Sequence, residues 1–343
     1  MPDRLALVTG ATGFIASHLV PALLDTGWGV RATGRRARPD SLPHAAGYQA
    51  VDFVAAEPAE LKELLSGVTH VFHLAGASSS RSSEDEMFRN NVDATERLFE
   101  AVVAAGTVQR ALYMSSTSVY GEEEQLPSPV PEDVEPTPTR SYGKAKWATE
   151  QVVWRHSREG LPVVVARPVS VHGPGTIKLL ASAILDVAIE RFMELDRLVV
   201  YRPAVEQRLV HIDDLMGACL HLIAREGAAG RAFNVVSGVY PTSHDVAAIL
   251  AEHFGMEVEI TDDPEGGPSY EQRHAGWSAM RDQGMRDEII LTKERFRFMR
   301  KANRNNRLSL DALLGTGFEL RHTDPRTEIV ADAEWCRANR WIL

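Results

Sequence analysis

Tyr142 and Lys146 stand four residues apart in Ser141-Tyr142-Gly143-Lys144-Ala145-Lys146. On a helix that spacing puts both side chains on one face, so the ammonium can lie beside the phenol. A free phenol titrates near about 10, and a neighbouring cation favours its ionised form, which makes the pair a candidate general acid or base near neutral pH. Upstream, the hydroxyl-rich run Tyr113-Met114-Ser115-Ser116-Thr117-Ser118-Val119-Tyr120-Gly121 follows a strand-like stretch, so its hydroxyls emerge at a strand end. A third feature is Thr9-Gly10-Ala11-Thr12-Gly13-Phe14-Ile15-Ala16, where a short apolar run turns sharply into a helical one. Gly10 and Gly13 remove side chains that would block a pyrophosphate, and the exposed amides of the helix start can bind it. Ala16 stands where this spacing usually carries a third glycine, and one methyl is tolerable at a helix–strand contact.

These pieces need a scaffold that brings strand ends and helix starts together. Strand-like runs at 5–9, 28–33, 48–53, 68–74, 111–115 and 162–167 alternate with helical stretches at 14–26, 58–66, 84–105 and 141–159. That rhythm predicts an α/β fold, a doubly wound parallel (Rossmann) sheet whose carboxyl edge binds a dinucleotide. Beyond Pro168 the rhythm changes: a long helical run at 178–192 precedes a strand at 198–201, and 213–225 and 232–236 read as a further helix and strand of the first domain. The expected division is 1–170 with 205–236 for the dinucleotide-binding domain, and 171–204 with 237–343 for a smaller, discontinuous α/β substrate domain.

The chain has 343 residues, 44% hydrophobic and 24% charged, which is ordinary globular composition and excludes a disordered or fibrous chain. Its formal charge of -10 argues against sequence-independent binding to nucleic acid or an anionic membrane. The two cysteines, Cys219 and Cys336, have no metal-ligand spacing and imply no disulfide framework, and no apolar run is long enough to span a membrane. A soluble cytoplasmic protein is the expectation. The second strand ends in Thr33-Gly34-Arg35-Arg36. A cofactor with a free ribose 2'-hydroxyl calls for an acid there, whereas Arg35 and Arg36 can pair with a 2'-phosphate, so NADP is favoured over NAD. Asp52 and Phe53, at the end of strand three, are placed for the adenine edge.

With these motifs the chain resembles the extended short-chain dehydrogenase/reductase family, which includes nucleotide-sugar epimerases, dehydratases and dihydroflavonol-type reductases. The resemblance rests on Thr9 to Ala16, His73-Leu74-Ala75-Gly76, Asn91-Val92, Ser115 to Gly121, Tyr142 with Lys146, Arg167-Pro168, His172-Gly173-Pro174-Gly175 and His211-Ile212-Asp213-Asp214. It implies that Tyr142 is the acid/base, that Lys146 orients the nicotinamide ribose and lowers the tyrosine pKa, and that Ser116 hydrogen-bonds the reacting oxygen. It also implies that Gly10, Thr12, Gly13, Phe14, Ile15, Leu74, Ala75, Gly76, Asn91, Ser115 and Pro168 line the cofactor, and that Ser78, Ser116, Thr117, Ser170 and Arg208 meet the substrate. A homodimer through the helices at 84–105 and 141–159 follows from the same likeness.

The family's sugar dehydratases follow the catalytic hydroxyl with an acidic pair, and here Thr117 and Ser118 stand in those places, which disfavours dehydration. Hydride transfer at a secondary alcohol or ketone remains. Run once it is a reductase or dehydrogenase; run twice on one substrate it is an epimerase with no net redox change. A non-enzymatic dinucleotide-binding module is a third reading. The run Val30-Arg31-Ala32-Thr33-Gly34-Arg35 is similar to the NADP segment of dihydroflavonol-type reductases, whereas the late Asn306-Arg307-Leu308 region looks more like nucleotide-sugar epimerases. The substrate expected is a sugar nucleotide or a related anion. Epimerases of this type usually carry an arginine where Gln207 stands, and Arg208 is one place late, a slip that turns its side chain to the other strand face. Residues 281–307 carry nine basic against four acidic side chains. This segment, Arg295, Arg297 and Arg300 included, is expected with Arg202 or Arg208 to fold over an anionic substrate. His211-Ile212-Asp213-Asp214 is read as a strand end with a capping aspartate, with no metal, and His73 as a satisfied core histidine.

Overall fold

The computed structural model describes residues 4–77, 83–121, 126–296 and 306–343. The chain forms two compact units, each assembled from separated stretches. Unit one comprises Met1–Val169, Leu215–Val235 and Leu308–Glu319; unit two comprises Ser170–Asp214, Val236–Arg307 and Leu320–Leu343.

The first unit contains β1 (Leu5–Thr9), α1 (Phe14–Asp25), β2 (Gly29–Gly34), β3 (Gly47–Ala50), α2 (Pro58–Leu65) and β4 (His70–His73). These are followed by α3 (Glu84–Phe88), α4 (Ala94–Ala105), β5 (Arg110–Met114), α5 (Ser141–Arg158), β6 (Val163–Pro168), most of α7 (Ile212–Ala224), β10 (Arg231–Val235) and the short α10 (Asp311–Leu314). Seven strands make one sheet in the order β10-β6-β5-β4-β1-β2-β3, and every pairing is parallel. The order reverses at β1, beside which β4 and β2 lie on opposite sides, and such a reversal opens a crevice at the strands' carboxyl ends. Helices cover the strands, so Leu7, Val71, Ala111 and Val163 are fully buried, as a sheet with two covered faces requires. Strand β3 stops at Ala50 rather than 53, because Asp52 turns the chain: its carboxylate accepts the Val54 N–H and its carbonyl accepts those of Ala55 and Ala56.

The second unit holds β7 (Ser170–His172), α6 (Leu180–Phe192), β8 (Arg197–Tyr201), β9 (Leu209–His211), α8 (Ser243–Phe254), β11 (Glu257–Thr261), α9 (Tyr270–Asp282) and α11 (Pro325–Ala338). Its strands form two parallel pairs, β7 with β9 and β8 with β11. The core packs α6, α8, α9 and α11 through residues such as Ile184, Leu250, Met280 and Ile329. The stretch 205–214, expected with the first domain, belongs to this unit because β9 pairs with β7, whereas Leu308–Glu319 joins the first.

Candidate active site

Gly10 adopts a positive φ of 69°, and a side chain there would meet the Ala75 backbone nitrogen at 2.9 Å. Both facts require glycine. No side chain caps α1 at Gly13, and its first turn holds no acid, so the helix start presents its amides to an anion. Thr12, Phe14 and Ile15 lie in this turn, and Ala16 is buried under it.

From this turn a hydrogen-bonded relay crosses the sheet edge. The Thr95 hydroxyl donates to the Asn91 carbonyl at 2.5 Å, so it receives a proton from His73 Nε2 at 2.8 Å. His73 Nδ1 must then accept from Thr9 Oγ1 at 2.8 Å, and Thr9 Oγ1 in turn accepts the N–H groups of Leu74 and Ala75 at 3.1 and 3.0 Å. One tautomer satisfies every bond. Burial, with Lys146 nearby, pushes His73 down to about 3, so it is neutral and holds the loop after β4 in place. Thr95 was not singled out in the sequence, and Thr9 only as the first residue of the glycine turn; a hydroxyl ending the first strand was the available signal.

The expected single helix at 84–105 is broken by a π-helical turn, Arg89–Asp93, between α3 and α4. The wider turn carries Asn91 inward, where it is 2% exposed and donates to the Met87 and Ala77 carbonyls. Its Oδ1 is buried without a hydrogen-bond partner, and a Cβ on Gly76 would come within 2.5 Å of it and 3.4 Å of Lys146 Nζ. Gly76, Asn91 and Lys146 are therefore neighbours.

Tyr142 is the second residue of α5, and Lys146 and Glu150 follow at intervals of four residues, one stripe down a helix. Ser116 caps the short helical turn after β5, accepting the Ser118 N–H and donating to Ser118 Oγ, both at 3.2 Å, and lies near enough to the Tyr142 phenol to pull its pKa down. Burial raises the phenol above its usual range and Ser116 offsets part of that rise. This direction is opposite to the expected lowering by Lys146. The reason is geometric: the Lys146 ammonium donates to the Met114 carbonyl at 2.7 Å and is itself pushed down to about 8 by burial, against the pull of Glu150.

Ser115 and Ser116, adjacent in sequence, point into different surroundings. The Ser115 hydroxyl is 2.5 Å from Glu150 Oε1, and Glu150 is held bidentately by Arg167 at 3.0 and 2.7 Å. Arg167 also donates to Tyr120 Oη at 2.8 Å, whose proton goes to Asn234 Oδ1 at 2.8 Å. Ser115 thus braces the end of β5 instead of offering its hydroxyl to a cofactor. Thr117 is also buried, its hydroxyl directed at the Pro168 carbonyl, 3.4 Å away. Glu150, Tyr120 and Asn234 were missed; the four-residue stripe from Tyr142 was the signal for Glu150.

At the end of β2, a Cβ on Gly34 would lie 3.2 Å from Tyr48 Oη, which donates to the Arg36 carbonyl at 2.5 Å. Arg35 and Arg36 are exposed, and Arg35 donates to Asn90 Oδ1 at 2.9 Å. Asp52 is exposed, with Oδ1 on the Val54 N–H, and the Phe53 ring is buried edge-on to His73.

Ser170 and Arg208 lie in the second unit, where the Ser170 N–H donates to the Arg208 carbonyl at 3.3 Å. Gln207 is buried with its amide on the Val205 carbonyl, and Arg208, which like it precedes β9, is half-buried. Ser78, Arg297 and Arg300 lie outside the described residues. The expected anion clamp is overturned at Arg295: this guanidinium is buried, bonded to both Glu190 oxygens at 2.5 and 2.6 Å and to the Val199 carbonyl. Arg202 is paired with Asp262. Asp214 does not cap its own helix; its two oxygens accept the Arg321 and His322 N–H groups at 2.9 and 3.0 Å.

A model of the NAD-dependent epimerase/dehydratase family matches residues 6–236. The chain is similar to GDP-6-deoxy-D-mannose reductase of Pseudomonas aeruginosa, 30% identical over 308 residues that span 85% of this chain and 94% of that one. It is also similar to dTDP-6-deoxy-L-talose 4-dehydrogenase (NAD(P)(+)) of Kitasatospora kifunensis, 31% identical over 291 residues, 82% of this chain and 89% of that one. Among solved structures it is similar to RMD from Pseudomonas aeruginosa complexed with NADPH, 25% identical with a TM-score of 0.71, covering 98% of this chain and 99% of that one.

Proposed function

This chain belongs to the NAD-dependent epimerase/dehydratase family, and from that premise we propose that it is an NADP-dependent reductase of a keto group on a nucleotide-linked sugar. The observation that carries the reading is Tyr142, in the first turn of α5 beside Ser116 and one helical turn from Lys146, its phenol pKa raised further by desolvation. A held proton suits a general acid.

The residues fit a dinucleotide. The uncapped start of α1 and the absence of acid from its first turn suit the diphosphate, and Gly34 with exposed Arg35 and Arg36 suits a 2'-phosphate. A bound nicotinamide supplies hydride to the carbonyl carbon. Ser116 orients the carbonyl oxygen. Tyr142 Oη gives that oxygen its proton as negative charge develops there, and Lys146, fixed by the Met114 carbonyl near Gly76 and Asn91, would orient the nicotinamide ribose. Asn91 Oδ1, lacking a partner, is available to hold a donor beside Lys146.

The experiment is to incubate the protein with keto-sugar nucleotides and NADPH or NADH, following cofactor oxidation and product together. One NADPH consumed per reduced sugar is the expected result. Interconversion of sugar epimers with no net change in cofactor would replace the reductase by the epimerase reading. For assembly, the α4 and α5 face, with Val103 half exposed and Glu96 bonded by His156 at 3.0 Å, is the surface through which the chain pairs as a homodimer, testable by light scattering. A cytoplasmic location agrees with two buried free cysteines. Among the described residues no helix is long and apolar enough to cross a membrane.

A further inference from the structure

Within the second unit, the ends of β7 and β9, the first turn of α7, the segment entering α11 and α11 itself bring His172, His211 and His322 together with Asp213, Asp214, Glu328 and Asp332. His211 and His322 stack with ring centroids 3.9 Å apart, and His172 meets His211 edge-on at 5.3 Å. Asp213 Oδ2 lies 3.7 Å from His211 Nδ1 and 3.6 Å from His322 Nε2. One donor atom from each of the three residues falls within 4.8 Å of the others. A tetrahedral ion with bonds of about 2.0–2.1 Å holds its donors roughly 3.4 Å apart, so both histidine–aspartate separations are already within a few tenths of an ångström of that spacing.

The protons are arranged for the same purpose. His211 Nδ1 accepts the Asp213 N–H at 3.3 Å, which leaves its ring proton on Nε2, 3.8 Å from Glu328 Oε2. His322 Nδ1 lies 2.9 Å from that same oxygen. Glu328 therefore stands beside His322 Nδ1 and leaves His322 Nε2 facing Asp213, whereas His211 Nδ1 would exchange the Asp213 N–H for the ion on binding. Asp214 fixes the His322 backbone through two amide bonds. The histidine side chains are 7% and 26% exposed but that of Asp213 is 62% exposed, which leaves an ion a way in and room for water.

We propose that His211, His322 and Asp213 form a binding site for a zinc-like divalent ion, with Glu328 as the carboxylate supporting the His322 imidazole. Two imidazoles and one carboxylate select zinc, cobalt, nickel or copper over magnesium or calcium. His-Ile-Asp-Asp alone gave no such indication, because the second imidazole comes from a residue 108 positions after Asp214.

The test is to strip the purified full chain with a chelator, titrate it with cobalt(II) alone, and repeat with zinc by calorimetry and thermal melting. One equivalent per chain, visible cobalt d–d absorption and a melting point raised by zinc are expected. Glu328→Gln should weaken affinity about ten- to a hundredfold, the usual cost of losing such a supporting carboxylate. Asp213→Ala changes an exposed side chain, so it tests the ligand set even if His322→Ala fails to fold; His44→Ala, at an exposed position elsewhere, should bind as the parent does. Absence of stoichiometric binding, or binding unchanged in Asp213→Ala, overturns the site.

Discussion

The two units bury polar groups in opposite ways. At the sheet edge of the first, His73 is neutral between two threonine hydroxyls and Tyr142 keeps its proton. In the second, Arg273 meets Asp186 at 2.6 Å and Arg295 meets Glu190 at 2.5 Å, charges answered by charges. Neutral groups with fixed protons can pass one on. Matched ion pairs cannot do so without leaving a buried charge uncompensated. The Glu150–Arg167 pair in the first unit shows the second kind of burial beside the first: it anchors Ser115 and Tyr120 while Ser116, the next residue, stays available.

Substitution separates the two kinds. Tyr142→Phe should lower kcat by about 10²–10⁴ with little change in melting temperature, because it removes a proton donor and no packing. Retained turnover on a substrate reduced by the parent would sink the assignment. Arg295→Ala should instead cost about 3–5 kcal/mol of stability by urea unfolding, since Glu190 is left buried and unpaired. Substrate KM of the folded fraction should not move. A raised KM without loss of stability would restore Arg295 to the substrate. Smaller again is the cofactor effect: Arg35→Ala should raise KM for NADPH roughly tenfold and leave that for NADH unchanged, the loss of one charge-assisted hydrogen bond.

What the amino-acid order disclosed followed its locality. The strands of the parallel sheet were legible because a strand covered on both faces is a continuous apolar run, and the glycine turn and the Tyr142–Lys146 spacing lie within a few residues. The Ser115–Ser116 division was only partly legible, since adjacent hydroxyls differ by which strand face they meet, and that depends on Glu150 and Arg167. Pairings such as Asp186 with Arg273, 87 residues apart, left no local mark, so the basic content of 281–307 read as a surface able to hold an anion when Arg295 was already neutralised inside. The π-helical turn at Asn91 escaped for a related reason: one extra residue per turn hardly disturbs an apolar pattern but rotates a side chain inward.

The weakest expected effect tests the neutral half of the comparison directly. His73 titrates at about 3 in the fold, against an ordinary value near 6.5. Between those values the unfolded chain binds a proton that the folded chain refuses, so stability is lost as pH falls through 6.5 and continues to be lost toward 3. The slope from this one group is at most about 1.4 kcal/mol per pH unit. His73→Gln removes the titration, so the difference in unfolding free energy between parent and variant should shrink as the medium is acidified from pH 7 to pH 5. A difference that stays constant would mean that His73 carries its charge in the fold, and the relay from Asn91 to Ala75 would then need a counter-ion that neither Thr9 nor Thr95 can provide.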